Sequence, residues 1–214
     1  MYMELLNPDW NQEKPTFVQA RAMCQQVPLE IRPLVDSRVD SVINLIRESH
    51  ANGGAYFASF HVGPSRDFDW FASRNRLLEF GILRQLLGRV EISSALPALE
   101  IQSIPPVEPA NEDCRLANDG DFQMTSSFLF DGQLAQVLYA GGAYTRAKGD
   151  GRAEKENSLA FSEAVFGLRF SEVSHFSSYS AWTPWFEGIA WDWTAVLYDR
   201  RLRTLSVLAA TDTD

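Results

Sequence analysis

Two alternating runs near the C-terminus, joined by a short polar turn, constrain this chain more than any other feature. Residues 189–199 place Ile189, Trp191, Trp193, Ala195 and Leu197 on one side and Ala190, Asp192, Thr194, Val196 and Tyr198 on the other. Asp199, Arg200 and Arg201 make the turn, and Leu202 to Ala210 returns. A period of two on both flanks of a turn predicts a β-hairpin. An isolated hairpin is marginal in water, so it needs further strands or a layer of helices against it.

The rest of the chain supplies both. Pro15 opens a short helix through Cys24, since proline is tolerated in a first helical turn. Val35, Val39, Val42, Ile43 and Ile46 recur at helical spacing, and that helix stops by Gly53 and Gly54. Ala55 to Val62 reads as a strand, Asp67 to Leu87 as one helix, and Ala98 to Ile104 as a second strand. A proline-rich, acidic stretch near 105–121 reads as a long surface loop. Asp131 then caps a helix carrying Leu134, Val137 and Leu138 and stopped at Gly141 and Gly142. A second helix covers Ala153 to Phe166, and Leu168 to Phe176 reads as a strand.

These strands are not separated by regular crossover helices, which disfavours a doubly wound parallel sheet. The expectation is a single α+β domain over 1–214: helices packed on a mainly antiparallel sheet, ending in the tryptophan-rich hairpin.

With 45% hydrophobic and 22% charged residues in 214, the composition is that of a globular chain rather than a disordered one. No apolar run reaches the ~18 residues that span a bilayer. Met1 to Asp9 carries early acids and no basic region, unlike a secretory signal. The expectation is a cytoplasmic protein.

Nineteen basic residues against 28 acidic ones give a net charge of −9. Phosphate-driven nucleic-acid binding needs a basic patch, and the cluster Arg200, Arg201 and Arg203 is too short to be one. An anionic membrane surface is disfavoured for the same reason. A basic protein is the partner that such a charge would steer toward itself. Cys24 and Cys114 form no metal or redox spacing, and both are expected as buried thiols.

Four of the six tryptophans, Trp182, Trp185, Trp191 and Trp193, fall within twelve positions. Tryptophan fills cores, and it also anchors interfaces or stacks on rings. Pro184 places Trp182 and Trp185 in a loop, so they are expected as the exposed pair. Asp192 lies between two tryptophans, where apolar surroundings would raise a carboxyl pKa and suit it to acid–base work; pairing with an arginine such as Arg169 is the structural alternative. His50, His61 and His175 sit in no ligand spacing, so no metal is expected. Thr211 to Asp214 is expected as a solvated tail. The glycines from Gly141 to Gly151 follow a helix and lack the lysine of a phosphate loop. No nucleophile motif and no cofactor fingerprint is present.

Together these point to a non-catalytic, acidic protein-binding module, of the kind an immunity protein or antitoxin-type inhibitor would be, facing a basic partner. Its contacts would be Trp182, Trp185, Glu187, Glu108, Glu112 and Asp113. The alternative is a ligand-binding protein or enzyme with a pocket of Trp185, Trp191 and Trp193 and with Asp192 as acid or base. A homo-oligomer using the tryptophan segment as its subunit interface is a third arrangement.

Overall fold

The computed structural model describes residue 6 and residues 8–102, 122–146 and 150–214. The chain is α+β. Among the described residues, seven α-helices flank a six-stranded antiparallel sheet: α1 (Phe17–Gln26), β1 (Leu29–Ile31), α2 (Ser37–Ser49), β2 (Gly54–Val62), α3 (Arg66–Ser73), α4 (Ile82–Leu87), α5 (Val90–Ala95), β3 (Gln123–Thr125), α6 (Phe130–Ala140), α7 (Arg152–Phe166), β4 (Val173–Ser178), β5 (Trp193–Asp199) and β6 (Thr204–Thr211). Strand order is β1-β2-β6-β5-β4-β3. The predicted hairpin sits at the centre, with Trp193 opposite Ala210 and Asp199 opposite Thr204. β6 also pairs with β2, from Gly54–Thr211 to His61–Thr204, so an early strand closes on the last one.

Helices cover both faces of the sheet. On one face Phe60, Val62, Phe176, Val196, Tyr198, Leu205 and Val207 meet α1, α3, α4 and α5. On the other, Ala55, Trp193, Ala195, Leu197, Leu208 and Ala210 meet α2, α6 and α7. Antiparallel sheets commonly leave one face wet. Here every residue of β4 and β5 is buried, so small polar residues line the strands where hydroxyls find partners: the Ser59 and Ser206 hydroxyls are 3.2 Å apart.

Local rules explain the helices. Asp36 caps α2 by accepting from the Arg38 amide, and Val39, Val42, Ile43 and Ile46 form its buried stripe. Thr16 and Gln19 form a capping box on α1. No helix among the described residues is long and apolar enough to cross a membrane.

Several expectations need correction. Val35 precedes α2 and is exposed. The helix read over 67–87 is two, α3 and α4, because Asn75, Phe80 and Gly81 all take left-handed backbone between them. Glycine does this freely and asparagine more readily than most residues, but nothing at Phe80 announces it. The alternation over 98–104 is a 3-10 turn, Pro97–Leu99, that buries Leu99; residues 103–104 lie outside the described residues. β4 begins only at Val173, after a turn at Phe170–Glu172. Leu129, not Asp131, is the N-cap of α6, and Asp131 sits in its first turn, 3.1 Å from Lys155 Nζ. The strand read over 189–199 starts at Trp193. The proline-rich stretch, with Glu108, Glu112, Asp113 and Cys114, lies outside the described residues, while Cys24 is buried as expected.

Candidate functional site

The tryptophan segment divides into an inward and an outward half. Trp182 is buried, donates its indole N–H to Thr194 Oγ1 at 2.8 Å and meets Phe186 and Phe122 edge-on or tilted. Its expected exposure is therefore overturned: the loop folds back, and the adjacent strand supplies a hydroxyl for the only polar atom in the ring. Trp185 stays half-buried, edge-on to Tyr56 at 5.3 Å and to Phe186 at 4.9 Å. Pro184 and Glu187 are exposed on the same loop.

Trp193 belongs to the opposite layer. It stacks on Phe130 and donates to Ser177 Oγ at 3.1 Å. The sheet thus stands between Trp185 and Trp193, and the pocket of Trp185, Trp191 and Trp193 is not assembled. Trp191 is half-buried in the turn leading into β5.

Asp192 is completely buried. One carboxylate oxygen accepts from the amides of Gly188 (2.6 Å) and Ile189 (3.1 Å), and the other accepts from the Thr211 hydroxyl (2.5 Å). These bonds close the turn 188–192 onto the end of β6. The carboxylate has no exposed surface, and both of its oxygens are engaged within the fold. Arg169 is not its partner: that guanidinium holds Asp199 Oδ2 at 2.8 and 2.9 Å.

The C-terminal residues are built into the fold as well. Asp212 is fully buried and accepts from the amides of Asn52 (2.8 Å) and Ala143 (2.7 Å), while Thr213 O accepts from the Asn52 side chain. A side chain on Gly142 would strike the Asp212 carboxylate and the Ser49 carbonyl, so that glycine is required by close approach. The solvated-tail expectation fails because these amides need the acid.

Two histidines are buried. Burial lowers the His50 pKa, opposed by the nearby Asp212. His175 is fully buried on β4, with Nδ1 2.8 Å from Thr125 Oγ1 and its ring edge-on to Phe130; burial pushes its pKa down to about 4. Its Nε2 has no partner among the described residues. Tyr198 is likewise buried with an unpaired hydroxyl, and burial raises its pKa. No three His, Cys, Asp or Glu residues among those described are grouped to hold a metal.

The outward half of the loop, Pro184, the half-buried Trp185 and Glu187, is open to a partner. Phe122 directly follows residues 103–121 and packs on Trp182 at 5.7 Å. That segment carries Glu108, Glu112, Asp113, Asp119 and Asp121 against Arg115 alone, a net −4 of the chain's −9. Charge density along the sequence is the signal that marks this concentration, and the Phe122–Trp182 contact is the part no spacing rule announces.

No protein-family model matches the chain, and no curated protein is similar to it at a significant level.

Proposed function

We propose that the protein is a binding module for a basic protein, gripping it through Trp185 and Glu187 together with the acidic residues Glu108, Glu112 and Asp113. The observation that carries this reading is the Phe122–Trp182 contact: Phe122 immediately follows the most acidic stretch of the sequence and packs on the buried tryptophan of the loop. A half-exposed tryptophan combined with an excess of acidic residues would supply both an anchor and long-range steering. Inhibition of a basic enzyme by an immunity- or antitoxin-type mechanism is the role such a surface fits best, because blocking a catalytic partner rewards a fast, steered encounter. Trp182 serves this surface from beneath, by holding the loop on β5.

The test is capture from the native lysate on the tagged protein, at low and at high salt, read by mass spectrometry. A single basic protein retained at low salt and weakened at high salt supports the proposal. Recovery of the bait alone, or of partners with no excess of Lys and Arg, defeats it.

A further inference from the structure

A second exposed indole sits at the hairpin-turn end of the sheet, in the opposite electrostatic setting. A cleft of about 420 Å3 opens there, lined by Pro8, Trp10, Ser73, Glu172, Arg200 and Arg201. Trp10 is 67% exposed. One of its faces is taken by the Arg74 guanidinium, 4.8 Å from the ring centroid, which lies 4.6 Å from the Trp70 ring as well and donates to the carbonyls of Trp10 and Trp70. Arg74 thus fixes the indole at the rim of the cleft.

Arg200 is fixed too. It donates to the carbonyls of Glu172 and Ser171 and to Asn75 Oδ1. All its partners are neutral, and so are those of Arg74. Among the described residues neither guanidinium forms an ion pair with a carboxylate, although Arg66 reaches Asp9 and Arg201 reaches Glu172 nearby. In a chain of net charge −9 these two cations are held in place by neutral acceptors. Guanidinium N–H donors remain unspent on Arg200. A fixed aromatic face beside preorganised guanidinium donors is the complement of a flat ring bearing an anion.

We propose that this cleft binds a planar aromatic anion, a ring carrying a phosphate or carboxylate that stacks on Trp10 while Arg200 and Arg201 hold the charged group. Glu172 offsets one of the two arginines lining the cleft, so the lining carries a single net positive charge. That favours a monophosphate or carboxylate over a polyphosphate.

The test is calorimetric titration of the full chain with AMP and with benzoate, which separate the phosphate and carboxylate sources, and with adenosine, inorganic phosphate and ATP. AMP or benzoate should bind saturably, with a dissociation constant of roughly 1 mM or tighter. Adenosine and inorganic phosphate alone should bind about tenfold more weakly, and ATP no more tightly than AMP. Trp10→Ala should cost about tenfold, the scale of one lost stacking contact. Arg200→Gln should weaken binding as well, and Arg201→Gln, at an exposed position, repeats that test without loosening the turn. No saturable binding of either AMP or benzoate, adenosine binding as well as AMP, or unchanged affinity in both Trp10→Ala and Arg201→Gln would each overturn the proposal.

Discussion

The two ends of the β5–β6 hairpin hold carboxylates by different means: guanidinium groups take part at the turn end, and neutral donors alone at the open end. At the turn end, Asp69 takes two hydrogen bonds from Arg203, a guanidinium that is 1% exposed and also donates to the carbonyls of Val62 and Gly63. Asp199 is held beside it by Arg169 and by the amides of Arg201 and Leu202. At the open end, Asp192 and Asp212 rest on backbone amides and one hydroxyl. Guanidinium groups join amides at the turn end, where α3 is locked to the sheet; neutral donors alone hold the acids where loops close on it. An ion pair makes each partner depend on the other, whereas an amide-held acid leaves only neutral donors behind when it is lost. Asp192 and Asp212 are therefore structural and inaccessible to direct contact with a partner.

The largest expected effect comes from the turn end. Asp69→Asn strands the buried Arg203 and should cost about 4 kcal/mol, read as a shift in urea midpoint at constant slope. A loss below about 1 kcal/mol would show that water or the two carbonyls satisfy Arg203, and the contrast between the ends would collapse. At the open end Asp192→Asn should cost less, about 2 kcal/mol, because the one remaining side-chain oxygen can keep both amides while the bonds lose their charge assistance and the Thr211 hydroxyl must turn to accept. In a chain of this length that is a fall of roughly 4–8 °C in Tm. An unchanged melt would detach Asp192 from the fold and return it to consideration as a reacting group.

Acidification sharpens the comparison only after His175 is subtracted. Its pKa is about 4 when folded against the ordinary 6.5, so between those values the unfolded chain takes up the proton first. Stability from this group is complete above pH 6.5 and falls as the pH drops toward 4. From pH 7 to pH 5 the loss is about 2 kcal/mol. His175→Gln should flatten that part of a urea-midpoint profile against pH; an identical profile in the variant would mean that other groups carry the acid response. The smallest effect belongs to the exposed pair Arg152–Glu156 on α7 (N···O 2.8 Å), where Arg152→Ala should change stability by only about 0.3 kcal/mol.

The sequence is legible where local periodicity and strong punctuation agree. The central hairpin, β2 and α2 were legible because alternation, a helical stripe and turn residues stand next to one another. It misleads where a local pattern is overruled by distant partners. Trp191 and Asp192 continue the alternation of β5, but the Gly188 and Ile189 amides and the Thr211 hydroxyl pull them into a turn. β1 and β3 span three residues each and cannot establish a period of two. Arg203 and Asp69 are 134 positions apart, and nothing in the sequence pairs them. For the site, Trp185 and Glu187 were legible as a loop beside a proline. The inward turn of Trp182 was not, because it depends on a hydroxyl of the next strand.

The most direct measurement compares the wild-type chain with Trp185→Ala and with the triple charge reversal Glu108→Lys, Glu112→Lys and Asp113→Lys, each as bait in the same native lysate at low salt. The account predicts that the wild type retains a basic protein, that the triple reversal releases it, and that Trp185→Ala weakens it while all three baits melt alike. Retention of the same protein by the triple reversal, undiminished, would contradict the claim that this acidic surface is what the partner recognises.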